Sequence, residues 1–397
     1  MNFQALSHLT QKLSVLNEQG LHRQRRMTAS LCQPQLLVNG QPLLAFNSND
    51  YLGLAAHPGV MEALREGVSI YGAGSGASHL ISGHSQAHDQ LETVLASMLA
   101  DHIPAVRALF FSTGYMANLG VLSALGDLSK GDLTFFSDAL NHASLIDGIR
   151  LSRANYQVYA HSDLQQLRSL LMDSGSGTKV VVSDGVFSMD GDLASAKELL
   201  AICEQHGAWL LIDDAHGFGV LGDKGAGLLQ HAGLCSEQLI YVGTLGKAAG
   251  VAGAFVAAHS MLIEWMVQRS RPYIYTTAAP AALAHALLTS LQIIGGEEGQ
   301  KRRAHLTKLI DAFSASSIPS HWRKLASTTA IQPLVVGSNA AVLQASADLQ
   351  SQGIWVSAIR APTVPPNTAR LRITLSAGHT MNNLDQLKNA LVALHKP

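Results

Sequence analysis

Trp209-Leu210-Leu211-Ile212-Asp213-Asp214-Ala215-His216-Gly217 is the stretch on which the fold turns. A short apolar run, too brief for an amphipathic helix, ends abruptly in acid, acid, small residue, histidine and glycine. Downstream, Leu239-Ile240-Tyr241-Val242 leads into Gly243-Thr244-Leu245-Gly246-Lys247. Each run reads as a strand covered on both faces that delivers polar groups at its C-terminal end. The same texture extends in both directions, through Ala108–Phe111, Leu133–Phe136, Gln157–Tyr159, Val180–Val182 and Ala254–Val256. Helical periodicity covers Val60–Tyr71, Ala87–Leu99 and Ala117–Leu125. Short apolar strands alternating with amphipathic helices predict an α/β fold, a mostly parallel sheet with helices on both faces.

Beyond about residue 280 the texture changes. A long helix from Ala281 to about Phe313 is expected to break at Gly295-Gly296, followed by strands Ile331–Val336, Ile354–Ser357 and Arg370–Thr374. Helices Ala340–Gln350 and Asn383–Leu394 complete a smaller α+β domain. The expected organisation is an N-terminal helix and arm (1–50), a large α/β domain (51–285) and a C-terminal α+β domain (286–397). The arm starts Met1-Asn2-Phe3-Gln4, reads as an amphipathic helix through Leu13 and Leu16, and runs into a basic stretch, Arg23-Gln24-Arg25-Arg26. Short β-prone pieces follow at Gln35–Val38 and Leu43–Phe46.

The 397 residues are 47% hydrophobic and only 14% charged, so the chain can bury a large core and has surface to spare for a second subunit. Lys+Arg 27 against Asp+Glu 28 leaves no basic excess for nucleic acid. The 18 histidines are scattered, and no metal-ligand spacing is read from them. Three cysteines, Cys32, Cys203 and Cys235, have no paired spacing and fit a reducing compartment. With neither a signal-peptide pattern nor an apolar window of membrane-spanning length, the expected location is the cytoplasm.

The polar residues at the strand ends share a theme. Lys247, set among small residues, offers an amine that can form a Schiff base with a carbonyl cofactor; alone, it is more simply a turn lysine. Asp213 closes a buried strand, where an unpaired carboxylate is costly and a protonated pyridine nitrogen is a good partner. A helix N-cap is the plainer alternative, and Asp214 could supply it. His216 can reach a ring oxygen from the same loop, although by itself it reads as an ordinary loop histidine. Ser112-Thr113-Gly114-Tyr115 ends one strand and opens a helix, so the N–H groups of Gly114 and Tyr115 suit an anion. His142 and Ser188 follow two further strands. Ligands of open α/β sheets bind at such C-terminal strand ends, and the set matches the needs of pyridoxal 5′-phosphate (PLP).

Six motifs carry a resemblance: Asn47–Leu54, Ser112–Tyr115, Asp138–Ser144, Gly185–Asp192, Asp213–Gly217 and Thr244–Lys247. Together they resemble the α-oxoamine synthase family of fold-type I PLP enzymes, from the basic N-terminal stretch to about His379. The resemblance implies a seven-stranded, mostly parallel sheet, PLP as cofactor, and decarboxylative condensation of an amino acid with an acyl thioester. It implies that Lys247 is the Schiff-base lysine and general base, and that Asp213 pairs with the pyridinium nitrogen. His216 and Ser188 would bond the phenolic oxygen, and His142 would stack on the ring beside the substrate. Gly114, Tyr115 and Thr244 would bind the cofactor, Thr244 at the phosphate. Arg360 would clamp the amino-acid carboxylate and Thr363 would contact the acyl substrate. Arg23 would hold the other end of the acyl substrate, with Arg25 and Arg26 as alternatives, and Asn49 would lie near the reacting groups. A homodimer with shared sites is implied, in which Thr276 or Thr277 reaches the neighbour's phosphate.

Trp355–Pro366, Thr368–Ile373 and Ala330–Leu334 resemble the branch that uses L-alanine and a pimeloyl thioester, carried on CoA or an acyl carrier protein. Ala77 and His79 depart from the residues usual in the family. Three rivals remain. One is glycine with acetyl-CoA as substrates. Another is a non-catalytic subunit of the same fold, which should have lost Lys247. The third is a nicotinamide enzyme, which should show a strand-borne Gly-x-Gly-x-x-Gly, absent here.

Overall fold

In a computed structural model, residues 4–128 and 131–394 are described, and the first three residues of the expected N-terminal arm lie outside them. The strands, in chain order, are β1 (Gln35–Val38), β2 (Gln41–Ala45), β3 (Val106–Phe111), β4 (Leu133–Asp138), β5 (Asn155–Tyr159), β6 (Thr178–Asp184) and β7 (Trp209–Asp213). They continue as β8 (Leu239–Thr244), β9 (Ala254–His259), β10 (Arg323–Lys324), β11 (Ile331–Gly337), β12 (Ile354–Trp355), β13 (Ser357–Ile359) and β14 (Ala369–Thr374). Two compact units result: Leu52–Ser188 with Asp192–Ala304, and Met1–Tyr51 with Met189–Gly191 and His305–Pro397.

The first unit is built on a seven-stranded sheet in the order β3-β9-β8-β7-β6-β4-β5. Each of the parallel steps β4 to β5, β5 to β6 and β6 to β7 returns through a helix: Ala143–Ser152, Leu164–Asp173 and Ala196–His206 respectively. Strand β9 is antiparallel to both neighbours. The link from β8 is the short loop 245–253, with Gly250 and Gly253 at φ 70° and 104°, too short for the crossover that a parallel pair requires. Two antiparallel steps leave β3 parallel to β8, so β3, β4, β6, β7 and β8 all end at one edge. Val180, Val182, Leu211, Ile240 and Val242 point into one helical layer. The alternate residues Val181, Leu210, Ile212 and Tyr241 are equally buried on the other face. Each such Val, Leu or Ile contributes ~1.5–3 kcal/mol by leaving water, which is why these strands carry no polar alternation.

The second unit holds a three-stranded sheet, β1-β2-β12, and a four-stranded sheet, β10-β11-β14-β13. The strand expected over Ile354–Ser357 is in fact two, one in each sheet. β12 pairs parallel with β2 and β13 antiparallel with β14. Between them Val356 is fully buried and its carbonyl accepts from Ser346 Oγ at 2.7 Å, outside either ladder. The expected helix break is present, as Ala281–Gly295 and Glu297–Ser314. The N-terminal helix, Gln4–Glu18, has no buried residue, and its Leu6, Leu9, Leu13 and Leu16 stripe is exposed. The glycine-rich segment 72–83 contains a π-helix, His79–Gly83. A Cβ at Gly83 would sit 2.1 Å from the Ala77 carbonyl oxygen, so only glycine closes that turn.

Candidate active site

At the shared C-terminal edge of the seven-stranded sheet lies a cavity of about 220 Å³. Gly114 and Tyr115 reach it after β3, His142 after β4, Ser188 after β6, Ala215 and His216 after β7, and Thr244 and Lys247 at and after β8. Asp213 forms part of the wall at the end of β7 and is only 7% exposed. Residues scattered over more than a hundred positions converge because each follows a parallel strand directly, and parallel strands end together.

The polar groups hold one another in place. Lys247 Nζ lies 2.8 Å from His216 Nε2. Asp213 accepts from Asn118 Nδ2 at 2.6 Å on one oxygen and from Ala215 N at 3.0 Å on the other. Asn118 Nδ2 also donates to Ser144 Oγ at 2.8 Å, and Ser144 Oγ lies 2.7 Å from His142 Nδ1. Burial lowers the pKa of the His142 imidazole, against the pull of Asp213 and with the push of Lys247. Asp184, opposite Asp213 in register, accepts from His142 N at 3.0 Å. Burial, then the Asp213 charge, pushes its carboxyl well above the usual range. Asp214 turns away from the cavity: its Oδ2 accepts from Leu228 N at 2.6 Å and Tyr241 Oη at 2.7 Å.

Asn118, Ser144 and Asp184 line this cavity without having been singled out from the sequence. Asn118 stands one helical turn beyond Gly114, on the helix Gly114–Leu128 that the strand–Ser-Thr-Gly signal announces. That offset is the signal that could have found it. Ser144 and Asp184 sit inside or beside quoted motifs but have no chemical mark of their own.

The donor set fits PLP. A primary amine, a sequestered carboxylate and a neutral imidazole face one space. The N–H groups of Gly114 and Tyr115 precede the first intrahelical bond, Ala117 N to the Thr113 carbonyl, and so have no acceptor within the helix. Asn118 Oδ1 is buried and has no hydrogen-bond partner.

The second unit contains a cavity of about 590 Å³, lined by Arg23, Arg26, Arg360 and Thr363 among others. Arg360 Nη2 donates to the His22 carbonyl at 3.1 Å, and burial followed by the Arg23 charge lowers its pKa. Arg26 donates to Gln350 Oε1 at 2.6 Å and lies over the Trp355 ring at 5.5 Å. Arg25 is not part of that lining. Asn49 is placed elsewhere in the unit, its Oδ1 accepting from Arg372 Nη1 and Tyr51 Oη, both at 3.2 Å.

Residues 41–391 match the family model "Aminotransferase class I and II". The chain is 61% identical over 391 residues to the 8-amino-7-oxononanoate synthase of Janthinobacterium sp. (strain Marseille), covering 98% of each chain. Among solved structures, SPT with PLP internal aldimine superposes with a TM-score of 0.89 at 26% identity, covering 99% of this chain and 98% of that one. The 8-amino-7-oxononanoate synthase of Francisella tularensis superposes with a TM-score of 0.73 at 30% identity, covering 89% and 97%.

Proposed function

This chain belongs to the aminotransferase class I and II family, and from that membership we infer that it is a PLP-dependent acyltransferase of the 8-amino-7-oxononanoate synthase type. It condenses L-alanine with a pimeloyl thioester, releasing carbon dioxide and the thiol carrier, and yields 8-amino-7-oxononanoate for biotin biosynthesis. The observation that carries the reading is the meeting of Lys247, Asp213, His142 and His216 on one cavity.

When bound, PLP supplies an electron sink for charge developing at the amino acid's Cα. Asp213, held by Asn118 and Ala215, keeps a proton on the pyridine nitrogen. Lys247 Nζ would hold the cofactor through its carbonyl carbon and is the base placed to accept the proton from the substrate Cα. His216 lies 2.8 Å from the Lys247 amine and, with Ser188, would bond the phenolic oxygen. His142, its pKa lowered by burial, would stack on the cofactor ring. The N–H groups of Gly114 and Tyr115 and the Thr244 hydroxyl take the phosphate. Arg360 is assigned the alanine carboxylate, as a bidentate clamp. Thr363 and Arg23 are assigned the acyl substrate, and Asn49 a further substrate contact.

The enzyme acts in the cytoplasm as a homodimer. Exposed Leu80, Ile81 and Tyr275, beside the bridge from Ser78 to Thr277, support an apolar subunit contact from which Thr276 or Thr277 serves the neighbour's phosphate. No helix among the described residues is long and apolar enough to cross a membrane.

A mass-spectrometric product assay tests the substrates. Alanine with pimeloyl-CoA or pimeloyl-carrier protein is expected to give 8-amino-7-oxononanoate. Faster product formation from glycine with acetyl-CoA would overturn that assignment.

A further inference from the structure

His79, His84 and His88 follow one another at intervals within the His-x3–5-His range of zinc sites, and the fold brings them together. Their ligand atoms all lie within 4.8 Å of one another, and the Nδ1 atoms of His79 and His84 are 2.9 Å apart. The π-helix His79–Gly83 supplies His79, its C-cap position is His84, and the N-terminal turn of the helix Gln86–Leu99 supplies His88. None of them lines the cavity that holds Lys247 and Asp213.

We propose that these three imidazoles form a binding site for a single divalent transition-metal ion of the zinc class. Imidazole nitrogen suits Zn²⁺, Cu²⁺ and Ni²⁺, and Zn–N bonds of about 2.0–2.1 Å place tetrahedral ligand nitrogens ~3.3 Å apart. The observed spacings bracket that value, so modest side-chain rotations close the site. His88 is already oriented as a ligand. Its Nε2 lies 2.9 Å from the Ala279 carbonyl, which can only accept, so Nε2 carries the proton and Nδ1 presents the lone pair. A histidine ligand commonly gives its second N–H to a backbone carbonyl in this way. Nδ1 of His88 meanwhile lies 3.1 Å from both Ser85 N and Ser85 Oγ, the capping-box contacts at the start of the helix Gln86–Leu99, which a metal bond would have to replace. The His79 ring is stacked on Tyr273, with centroids 4.8 Å apart, which limits its rotation. His84, exposed in the single chain next to the proposed Leu80–Ile81 subunit contact, leaves a fourth position for water, a small anion or a group of the neighbouring subunit.

The test uses tag-free, PLP-loaded enzyme titrated with ZnCl₂ against a chromophoric chelator, with metal content measured after gel filtration. One Zn²⁺ per chain is expected, with affinity falling at least ~10-fold in His84→Gln and in His79→Gln. His84 is exposed, so its variant tests the site without disturbing the core; an unchanged PLP spectrum shows that each variant is folded. Co²⁺ in place of Zn²⁺ is expected to show the visible ligand-field bands of a tetrahedral nitrogen site, absent in both variants. No retained Zn²⁺ in the wild type, or equal binding by the His84→Gln variant, overturns the proposal.

Discussion

Lys247 and His216 meet at 2.8 Å, although one leaves β8 and the other β7. The contact follows from strand register: β7 and β8 run parallel with Asp213 opposite Val242, so the loops after them rise side by side. It holds Lys247, the only primary amine among the described residues of the cavity, beside an imidazole that can share its proton.

Replacing Lys247 by Ala is expected to remove the visible absorbance of lysine-bound PLP and to lower kcat by at least ~10³-fold. PLP itself should still bind through Asp213 and the N–H groups of Gly114 and Tyr115. Absorbance spectroscopy and a turnover assay read both effects, and normal turnover by the variant would sink the mechanism.

The neighbouring acids should separate cleanly. Asp213→Asn is expected to cost ~10²-fold or more in kcat, because an amide cannot hold a positive charge on the pyridine nitrogen. In Asp214→Asn an acceptor remains for Leu228 N and Tyr241 Oη. Burial already raises the Asp214 carboxyl to about 7, so a neutral side chain changes little there. Turnover should stay near wild type, with stability altered by no more than ~1–2 kcal/mol in a denaturant titration. Equal losses of kcat in the two variants would contradict these separate roles.

Asn118 acts on PLP through Asp213, as a positioning residue. Asn118→Ala removes the 2.6 Å hydrogen bond to the carboxylate, and PLP affinity should fall ~10-fold, the equivalent of ~1.4 kcal/mol. Asn118→Asp sets a second negative charge at that distance and should lose more. Fluorescence titration of the apoenzyme with PLP ranks the two, and the reverse order would refute the positioning role.

A pH signature resides in His161, whose ring nitrogens lie 3.1 Å from Asp138 Oδ1 and 2.9 Å from Asp192 Oδ2. Hydrogen bonds to Asp138 and then Asp192 push it up to about 10, against the effect of burial. The folded value lies above the unfolded ~6.5. Its stabilising contribution is therefore complete below about 6.5 and is lost as pH rises through about 10. The Tm difference between wild type and His161→Gln should be widest near pH 6 and shrink towards pH 10. A difference independent of pH would show that the ion pairs contribute nothing.

The sequence by itself determined the parallel sheet, its strand sites and the eight cavity residues from Gly114 to Lys247 that were named from it. Those signals are local: an apolar run long enough to cross the sheet, then polar or small residues where it ends. Tertiary structure alone decided what pairs with what. Asn118 reads as an ordinary helix residue until the crossover from β3 brings it to Asp213, 95 positions away. Val356 divides one apparent strand into two because two sheets compete for it. The convergence of His79, His84 and His88 depends on a π-turn that only Gly83 permits. Side-chain periodicity records which face of an element is buried, whereas distances between elements are set by register and packing, to which no single stretch of sequence has access.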